Sequence, residues 1–200
     1  MGDKDYWKND YFEEWDESSE RERKFRSIIE KETGLELEPV GLGAESNEFI
    51  SGSAEDNGYE KGGADYRVKG TNVYIEITGP LRPVPEGQPL WFRPDKFQNA
   101  IKHIDDHDTF MVNHFKNIDI WYVIHFDKNF MNYAITSNKN KTDCKIITPF
   151  VKTSGKIEKY VEVQSNGDYI IKGLDYLIDY LKEIKLELEK SGQNEQGQER

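Results

Sequence analysis

The sequence predicts a single mixed α/β domain, and three observations lead to this prediction. Apolar residues at helical spacing appear near each end of the chain and once near its middle. Short runs rich in β-branched and aromatic residues lie between them, bounded by Gly, Pro, Asn and Asp. The order is helix, strand, strand hairpin, helix, strand, further strands and a closing helix, which predicts helices packed on a mixed β-sheet.

The length and composition fit one domain with polar ends. The 200 residues are 36% hydrophobic, 32% charged and 12% aromatic, which is enough to bury a core. We expect one domain over residues 19–190. Residues 191–200 are mostly Gln, Asn, Gly and Glu without an apolar side chain, which predicts a disordered tail.

Residues 1–18 form a predicted N-terminal arm in which aromatic side chains stand among acids. The aromatic residues are Tyr6, Trp7, Tyr11, Phe12 and Trp15. We interpret them as packing on the arm's own domain, and docking onto a partner is the alternative interpretation.

Three helices are predicted from capping residues and apolar spacing. The first begins at Ser19, which forms a capping box with Glu22, and ends at Gly34. The second has Pro94 near its first turn, a position that proline tolerates. The third covers residues 174–188, where leucine and isoleucine recur on one side.

Short apolar runs predict the strands. The run 64–69 is joined to the run 73–78 by Gly-Thr-Asn, which predicts a hairpin. The run 118–126 is nearly continuous in apolar residues and predicts a central strand covered on both faces. Residues 51–63 are predicted to be a loop, and the proline-rich residues 79–89 a stiff connection. The remaining predicted strands are 35–40, 48–50, 132–136, 145–149 and 159–163, the last facing 168–171 across a turn.

The charge and the cysteine content limit the class of protein that the sequence can encode. The formal net charge of -11 weighs against a surface that binds nucleic acid everywhere, although a local basic groove remains compatible with it. No window approaches 18 uninterrupted apolar residues, and Cys144 is the single cysteine. We therefore expect a soluble cytoplasmic protein without a membrane partner. No nucleophile elbow, phosphate-binding loop or dinucleotide fingerprint is present.

Two acids stand in the predicted hairpin where neutral side chains would be usual. Strand alternation places Glu76 on one face with Thr78, and Asp65 on the paired strand can point to the same side. Two carboxylates with a main-chain carbonyl and waters form the oxygen-rich site that Mg²⁺ or Mn²⁺ prefers. The alternative is that both acids are solvated on an open face and paired with Arg67 or Lys69.

The hairpin resembles the signature of the PD-(D/E)XK nuclease superfamily. Gly63-Ala64-Asp65 takes the place of the Pro-Asp element and Glu76-Ile77-Thr78 that of the Glu-x-Lys element. The resemblance implies a restriction-endonuclease-like mixed sheet flanked by helices, here with extra C-terminal strands and a closing helix. It also implies that Asp65 and Glu76 bind the metal ion and that Glu22 on the first helix assists.

The resemblance departs from the family at Thr78, where a lysine is usual. In some members the lysine comes from the helix after the Glu strand, which makes Lys96 the catalytic candidate here. Lys69 is a second candidate, and it could also contact substrate. Arg93 is the candidate phosphate contact. The simpler alternatives are that Glu22 only caps its helix and that Lys96 pairs with a surface acid.

Two functions are compatible with these expectations. The first is a metal-dependent endonuclease that uses Mg²⁺ or Mn²⁺ to hydrolyse phosphodiester bonds in nucleic acid, with DNA favoured over RNA and a homodimer as one arrangement. The alternative is a non-catalytic nuclease-like protein that binds partners through its acidic surface, as an inhibitor or immunity protein. It is motivated by Thr78 and by the negative charge.

A histidine pair offers a rival metal site. His103 and His107 stand four residues apart on the predicted second helix, a spacing compatible with zinc. Asp105, Asp106 and Asp108 beside them indicate a polar helix end instead, so we interpret the histidines as solvated surface and place no metal there.

Overall fold

A computed structural model describes the backbone of residues 4–41, 58–151 and 157–198, and the side chains of residues 16–41, 58–147 and 159–191. Within these ranges the helices are α1 (Lys4–Thr33), α2 (Pro94–Lys102), α3 (Lys128–Asn140) and α4 (Asp175–Gln198). The strands are β1 (Leu37–Pro39), β2 (Tyr66–Val68), β3 (Val73–Thr78), β4 (Leu90–Phe92), β5 (Asp108–Phe115), β6 (Ile120–Phe126), β7 (Cys144–Val151), β8 (Ile157–Val163) and β9 (Ile171–Lys172).

The strands form two sheets, and the larger one positions the site. Its six strands lie in the order β1-β2-β3-β5-β6-β9, and the smaller sheet has the order β4-β8-β7. In the larger sheet β3 and β5 are parallel, and the other neighbours are antiparallel. A parallel pair needs a crossover connection, and α2 lies in that connection. The predicted mixed α/β class is confirmed.

Two apolar cores cover the two faces of the six-stranded sheet. On one face Ile75 and Ile77 of β3 pack with Phe25 of α1 and Leu177 of α4. The other core contains Met111 of β5 together with residues of α2, α3 and the smaller sheet. Because side chains alternate along a strand, Glu76 lies on the face opposite the isoleucines, as the sequence predicts, and this face is the one that α2 covers.

The first helix begins much earlier than the sequence predicts. α1 is continuous from Lys4, so Ser19 lies inside the helix and is not its N-cap. Residues 4–18 are rich in Glu, Lys and Asp without Gly or Pro, and a helix extends through such a segment at little cost once it is nucleated. The side chains of the five arm aromatics lie outside the described residues.

Two predictions in the C-terminal half are wrong. Residues 132–136 belong to α3 rather than to a strand, because Asp127 caps this helix by accepting a hydrogen bond from the Phe130 N–H at 2.7 Å. Residues 168–171 do not form a strand opposite β8. Instead, Ile171 of β9 pairs with Val123 of β6 and extends the larger sheet.

The last helix is also longer than the sequence predicts. α4 continues to Gln198, through most of the predicted disordered tail, because Glu and Gln are good helix formers at the end of an established helix. β4 and β5 have no counterpart among the predicted strands. The predicted strand 48–50 lies outside the described residues.

The hairpin of β2 and β3, the helix α2 and the central strand β6 are confirmed. Among the described residues, no helix combines the length and apolar character needed to cross a membrane.

Candidate functional site

Asp65 and Glu76 meet on the α2 side of the large sheet. Tyr66 faces Ile75 across the antiparallel pair, so the residue before Tyr66 lies beside the residue after Ile75. Asp65 is 7% exposed and Glu76 is 6% exposed. The alternative of two solvated acids on an open face is therefore wrong. Like charges placed opposite each other on neighbouring strands repel, so the pair needs a positive partner.

The main chain of β3 fixes the Asp65 carboxylate. The Asp65 N–H donates to the Ile75 carbonyl at 3.1 Å, and Oδ2 of Asp65 accepts from the Ile77 N–H at 2.7 Å. Oδ1 is thus left to face the space beside Glu76, where it lies 3.7 Å from Nζ of Lys96. This arrangement holds one carboxylate oxygen in a constant position beside Glu76.

Lys96 of α2 supplies the positive charge. Its Nζ donates to Oε2 of Glu76 at 2.5 Å and to the carbonyl of Gly63 at 2.8 Å. The alternative in which Lys96 pairs with a surface acid is wrong, since its side chain is largely buried. The structure therefore brings together Asp65, Glu76 and Lys96, the three residues at the centre of the sequence-based hypothesis.

A glycine lets α2 approach this closely. Gly62 has a φ of +71°, and a Cβ atom there would collide with the carbonyl of Asp95 in the first turn of α2. The left-handed region and the lack of space both require glycine. Gly63 follows and presents its carbonyl to Lys96. These two backbone roles were missed from the sequence, although two consecutive glycines before an acid were a signal of close approach.

Burial and charge shift the titration of the cluster. Burial raises the pKa of Glu76 well above its ordinary value, and the charge of Asp65 raises it further, while Lys96 opposes both. Burial acts to lower the pKa of Lys96, but the charges of Glu76 and Asp65 outweigh it, so this pKa is raised. The lysine therefore stays charged at neutral pH, and its charge stabilises the ionised form of Glu76.

Arg93 lies at the rim of the cluster. Its guanidinium pairs with the carboxylate of Asp95 through two nitrogens. Burial acts to lower the pKa of Arg93, but Asp95 first and then Glu76 and Asp65 raise it overall. The side chain is mostly exposed and reaches solvent beside the three central residues. This position is compatible with the predicted phosphate contact.

A pocket of about 160 Å³ opens next to the cluster. Glu76 and Lys96 form part of its wall. The other lining residues include Gly63, Tyr74, Asn99, His107, Thr109 and Met111. A small polar group can therefore reach the lysine and one carboxylate from solvent.

The structure places two predicted site residues apart from this cluster. Lys69 donates to Glu36 of the segment before β1 at 2.7 Å on the exposed surface. Glu22 is buried in α1 on the same side as Phe25, which packs on the face of the sheet opposite α2. Its neighbour Arg21 donates to the Pro80 carbonyl at 3.3 Å, just beyond β3.

The histidine pair lies beside the pocket in a stacked row rather than on a solvated surface. The ring of His107 stacks on Tyr74 at 4.0 Å and on His103 at 4.3 Å between centroids. Nε2 of His103 lies 2.9 Å from the Glu60 carboxylate, which also accepts from Lys102. These hydrogen bonds, from Lys102 first, lower the pKa of Glu60 to about 2. Burial and then the charge of His103 lower the pKa of His107.

The donor set of the cluster fits one class of metal ion. In the described parts of the chain, no three or more His, Cys, Asp or Glu side chains lie together in a metal-binding arrangement. A structural zinc site is therefore a poor fit for these residues. Asp65, Glu76 and the Gly63 carbonyl are all oxygen donors, and Mg²⁺ or Mn²⁺ is held well by two carboxylates because it keeps several waters.

Comparisons of the chain with protein-family models, with curated proteins and with solved structures found no match. The function of the chain therefore has to be inferred from the geometry of the cluster.

Proposed function

We propose that the protein is a metal-dependent endonuclease that hydrolyses phosphodiester bonds in nucleic acid, with DNA favoured over RNA. One observation carries the proposal, namely that Asp65 and Glu76 share a buried site with the ammonium of Lys96, 2.5 Å from Glu76. A buried acid with a charged partner that lines a pocket, as Glu76 does with Lys96, is typical of functional sites.

The order of elements supports the same proposal. The PD-(D/E)XK resemblance implies a helix, three strands, a helix and a strand, and the chain has α1, β1 to β3, α2 and β5 in that order, with the short β4 between β3 and α2. The motif acids come from the hairpin that this pattern implies, and Lys96 of α2, which donates to Glu76, would take the place of the lysine that is missing at Thr78.

Each residue of the cluster has its own role in the proposed hydrolysis. Asp65, Glu76 and the Gly63 carbonyl would hold Mg²⁺ or Mn²⁺, which would stabilise charge on the phosphate and favour ionisation of a water. Lys96 would donate hydrogen bonds to the phosphate or to the attacking water, and Arg93 would bind a neighbouring phosphate oxygen. In the overall reaction a water oxygen bonds to phosphorus, the bond from phosphorus to the leaving sugar oxygen breaks, and that oxygen takes up a proton.

The experiment is cleavage of labelled single-stranded, duplex and branched DNA, and of RNA, by the full-length protein with Mg²⁺ or Mn²⁺. Asp65→Asn and Glu76→Gln should each lower the cleavage rate by roughly 100-fold or more. Glu86→Gln is the matched control, because Glu86 also pairs with a lysine at 2.5 Å but on the exposed surface. Parent-like cleavage by the Asp65 and Glu76 variants, or no cleavage by the parent on any substrate, would contradict the proposal.

A second candidate function is a non-catalytic binding protein on the same scaffold. Its specific support is that Lys96 already pairs with both acids, while position 78 has no charge and the net charge is -11. A parent protein that cleaves nothing, yet loses folding stability when Lys96 is replaced, would favour this candidate.

A further inference from the structure

The ammonium of Lys96 lies among the same oxygen atoms that a divalent ion would use. Nζ is 2.5 Å from Oε2 of Glu76, 2.8 Å from the Gly63 carbonyl and 3.7 Å from Oδ1 of Asp65. Oxygen ligands surround Mg²⁺ at about 2.0 to 2.1 Å. An ion that bound all three groups would therefore collide with Nζ in this position and would be repelled by its charge.

We infer that Lys96 acts as a built-in competitor of the metal ion, so that binding of a divalent cation displaces its ammonium from Glu76 and Lys96 sets the metal affinity of the site. The inference rests on the proposed function, because it assigns the same three groups as metal ligands. It concerns regulation of the site rather than the reaction.

The fold allows this exchange without unfolding α2. A lysine has four flexible methylene groups, so Nζ can move several ångströms while the backbone of Lys96 stays in the first turn of the helix. The neighbouring pocket gives the displaced ammonium a place to go, and Asn99 lines it from the same helix. There the ammonium lies beside the ion site, where it can donate to an anionic substrate group.

The alternative arrangement would keep Lys96 fixed and let the ion bind beside it. The geometry argues against this, because Oδ2 of Asp65 already accepts from the Ile77 N–H and Oε2 of Glu76 already accepts from Lys96. An ion that left both of these hydrogen bonds intact could not bind Oε2 of Glu76, the oxygen that faces the space between Asp65, Glu76 and Gly63. The affinity should therefore rise when the ammonium is removed, which is opposite to the effect of removing a ligand.

The test is titration of Mn²⁺ into the full-length protein by isothermal calorimetry, with manganese EPR as a second readout. Lys96→Met should bind one Mn²⁺ at least about tenfold more tightly than the parent. Lys96→Gln should also bind Mn²⁺ more tightly than the parent, although it keeps a hydrogen-bond donor at this position. Lys172→Met is the matched control, because Lys172 makes an exposed pair with Glu86 at the same 2.5 Å, and it should bind like the parent.

Further variants identify the site. Glu76→Gln should abolish this Mn²⁺ site both alone and combined with Lys96→Met. If Lys96→Met unfolds in metal-free buffer, thermal melting with Mn²⁺ gives the answer, since the ion should raise its melting temperature more than that of the parent. Unchanged or weaker Mn²⁺ binding by both Lys96 variants would overturn the inference.

The outcomes separate this inference from the proposed function. Tighter Mn²⁺ binding by Lys96→Met in a protein that cleaves no nucleic acid would support competition and contradict the endonuclease. Metal-dependent cleavage by the parent with unchanged Mn²⁺ affinity in the Lys96 variants would support the endonuclease and overturn competition. No Mn²⁺ binding at Glu76 in any variant would overturn both.

Discussion

Nζ of Lys96 donates to Oε2 of Glu76 at 2.5 Å, which links the first turn of α2 to the centre of β3. This hydrogen bond joins two elements that belong to different packing layers. It also makes the lysine the partner of a carboxylate whose burial would otherwise be costly.

Replacing Lys96 with methionine should destabilise the protein by about 3 to 5 kcal/mol, because two buried carboxylates would lose their cation. Glu76→Gln should cost less, since the raised pKa of Glu76 shows that burial favours an uncharged group there. Urea unfolding followed by circular dichroism measures both values. In the double variant the two costs should not add, and simple additivity would contradict a direct interaction.

The same ion pair predicts a loss of stability in alkali. The folded pKa of Lys96 lies above its ordinary value of 10.5, so its contribution is fully present below pH 10.5 and is lost as pH rises through the folded pKa. The difference in unfolding free energy between the parent and Lys96→Met should therefore shrink above pH 10.5. Urea titrations from about pH 8 to about pH 11.5 measure this difference, and a constant difference over that range would rule out the linkage.

Gly62→Ala should be more destabilising than Gly70→Ala. Both glycines have positive φ, +71° and +76°, but a Cβ at position 70 meets nothing within 4 Å, whereas at position 62 it collides with Asp95. Gly70→Ala should cost about 1 to 2 kcal/mol from backbone strain alone. Gly62→Ala should cost about 1 to 3 kcal/mol more from overpacking, measured by urea unfolding. Equal costs would show that α2 does not need this approach.

Tyr180→Phe should destabilise the protein by about 1 to 2 kcal/mol. The Tyr180 hydroxyl donates to Asp108 at the start of β5, and Nε2 of His125 lies 2.7 Å from the same carboxylate. These contacts attach α4 to the sheet. Tyr176→Phe is the control, because its hydroxyl lies 3.3 Å from Nδ1 of His125 on a more exposed side chain. Thermal melting that ranks the two variants in the opposite order would contradict this assignment.

Cys144 should resist thiol reagents while the protein is folded. Burial, with a smaller effect of Asp143, raises the pKa of its thiol to about 12. The thiolate is the reactive form, so labelling at about pH 8 should be at least about 100-fold slower than in urea. Absorbance after addition of a disulfide reagent gives both rates. Fast labelling of the folded protein would place Cys144 at the surface instead.

The local parts of the site could be predicted from the sequence. Strand alternation and a short turn predicted that Asp65 lies beside Glu76, and a proline in the first turn predicted the start of the helix that carries Lys96. These two inferences need only neighbours along the chain, whereas the choice of Lys96 as the partner of the acids came from the family resemblance. The hydrogen bond from Lys96 to the Gly63 carbonyl could not be predicted in this way, because two consecutive glycines indicate a close approach of the backbone but not its partner.

Other errors came from segments whose local pattern fits two structures. Residues 132–136 alternate as a strand does, yet the Asp127 cap and the packing of Phe130 hold them in α3. The partner of β9 depends on a contact with β6 across many residues of chain, which periodicity does not encode. Glu22 matched the expected position along the chain, but the packing of α1 sets the side of the sheet that it faces.

Gly63, Asp65, Glu76 and Lys96 all come from one short continuous segment, the hairpin and the helix that comes after it. Closing such loops costs little chain entropy, so these groups can meet before the distant strands β6 and β9 are paired. Burying either carboxylate costs free energy unless it is paired with the lysine. Docking of α2 therefore brings the positive charge that both buried carboxylates need, so the stability of the hairpin depends on its contact with this helix.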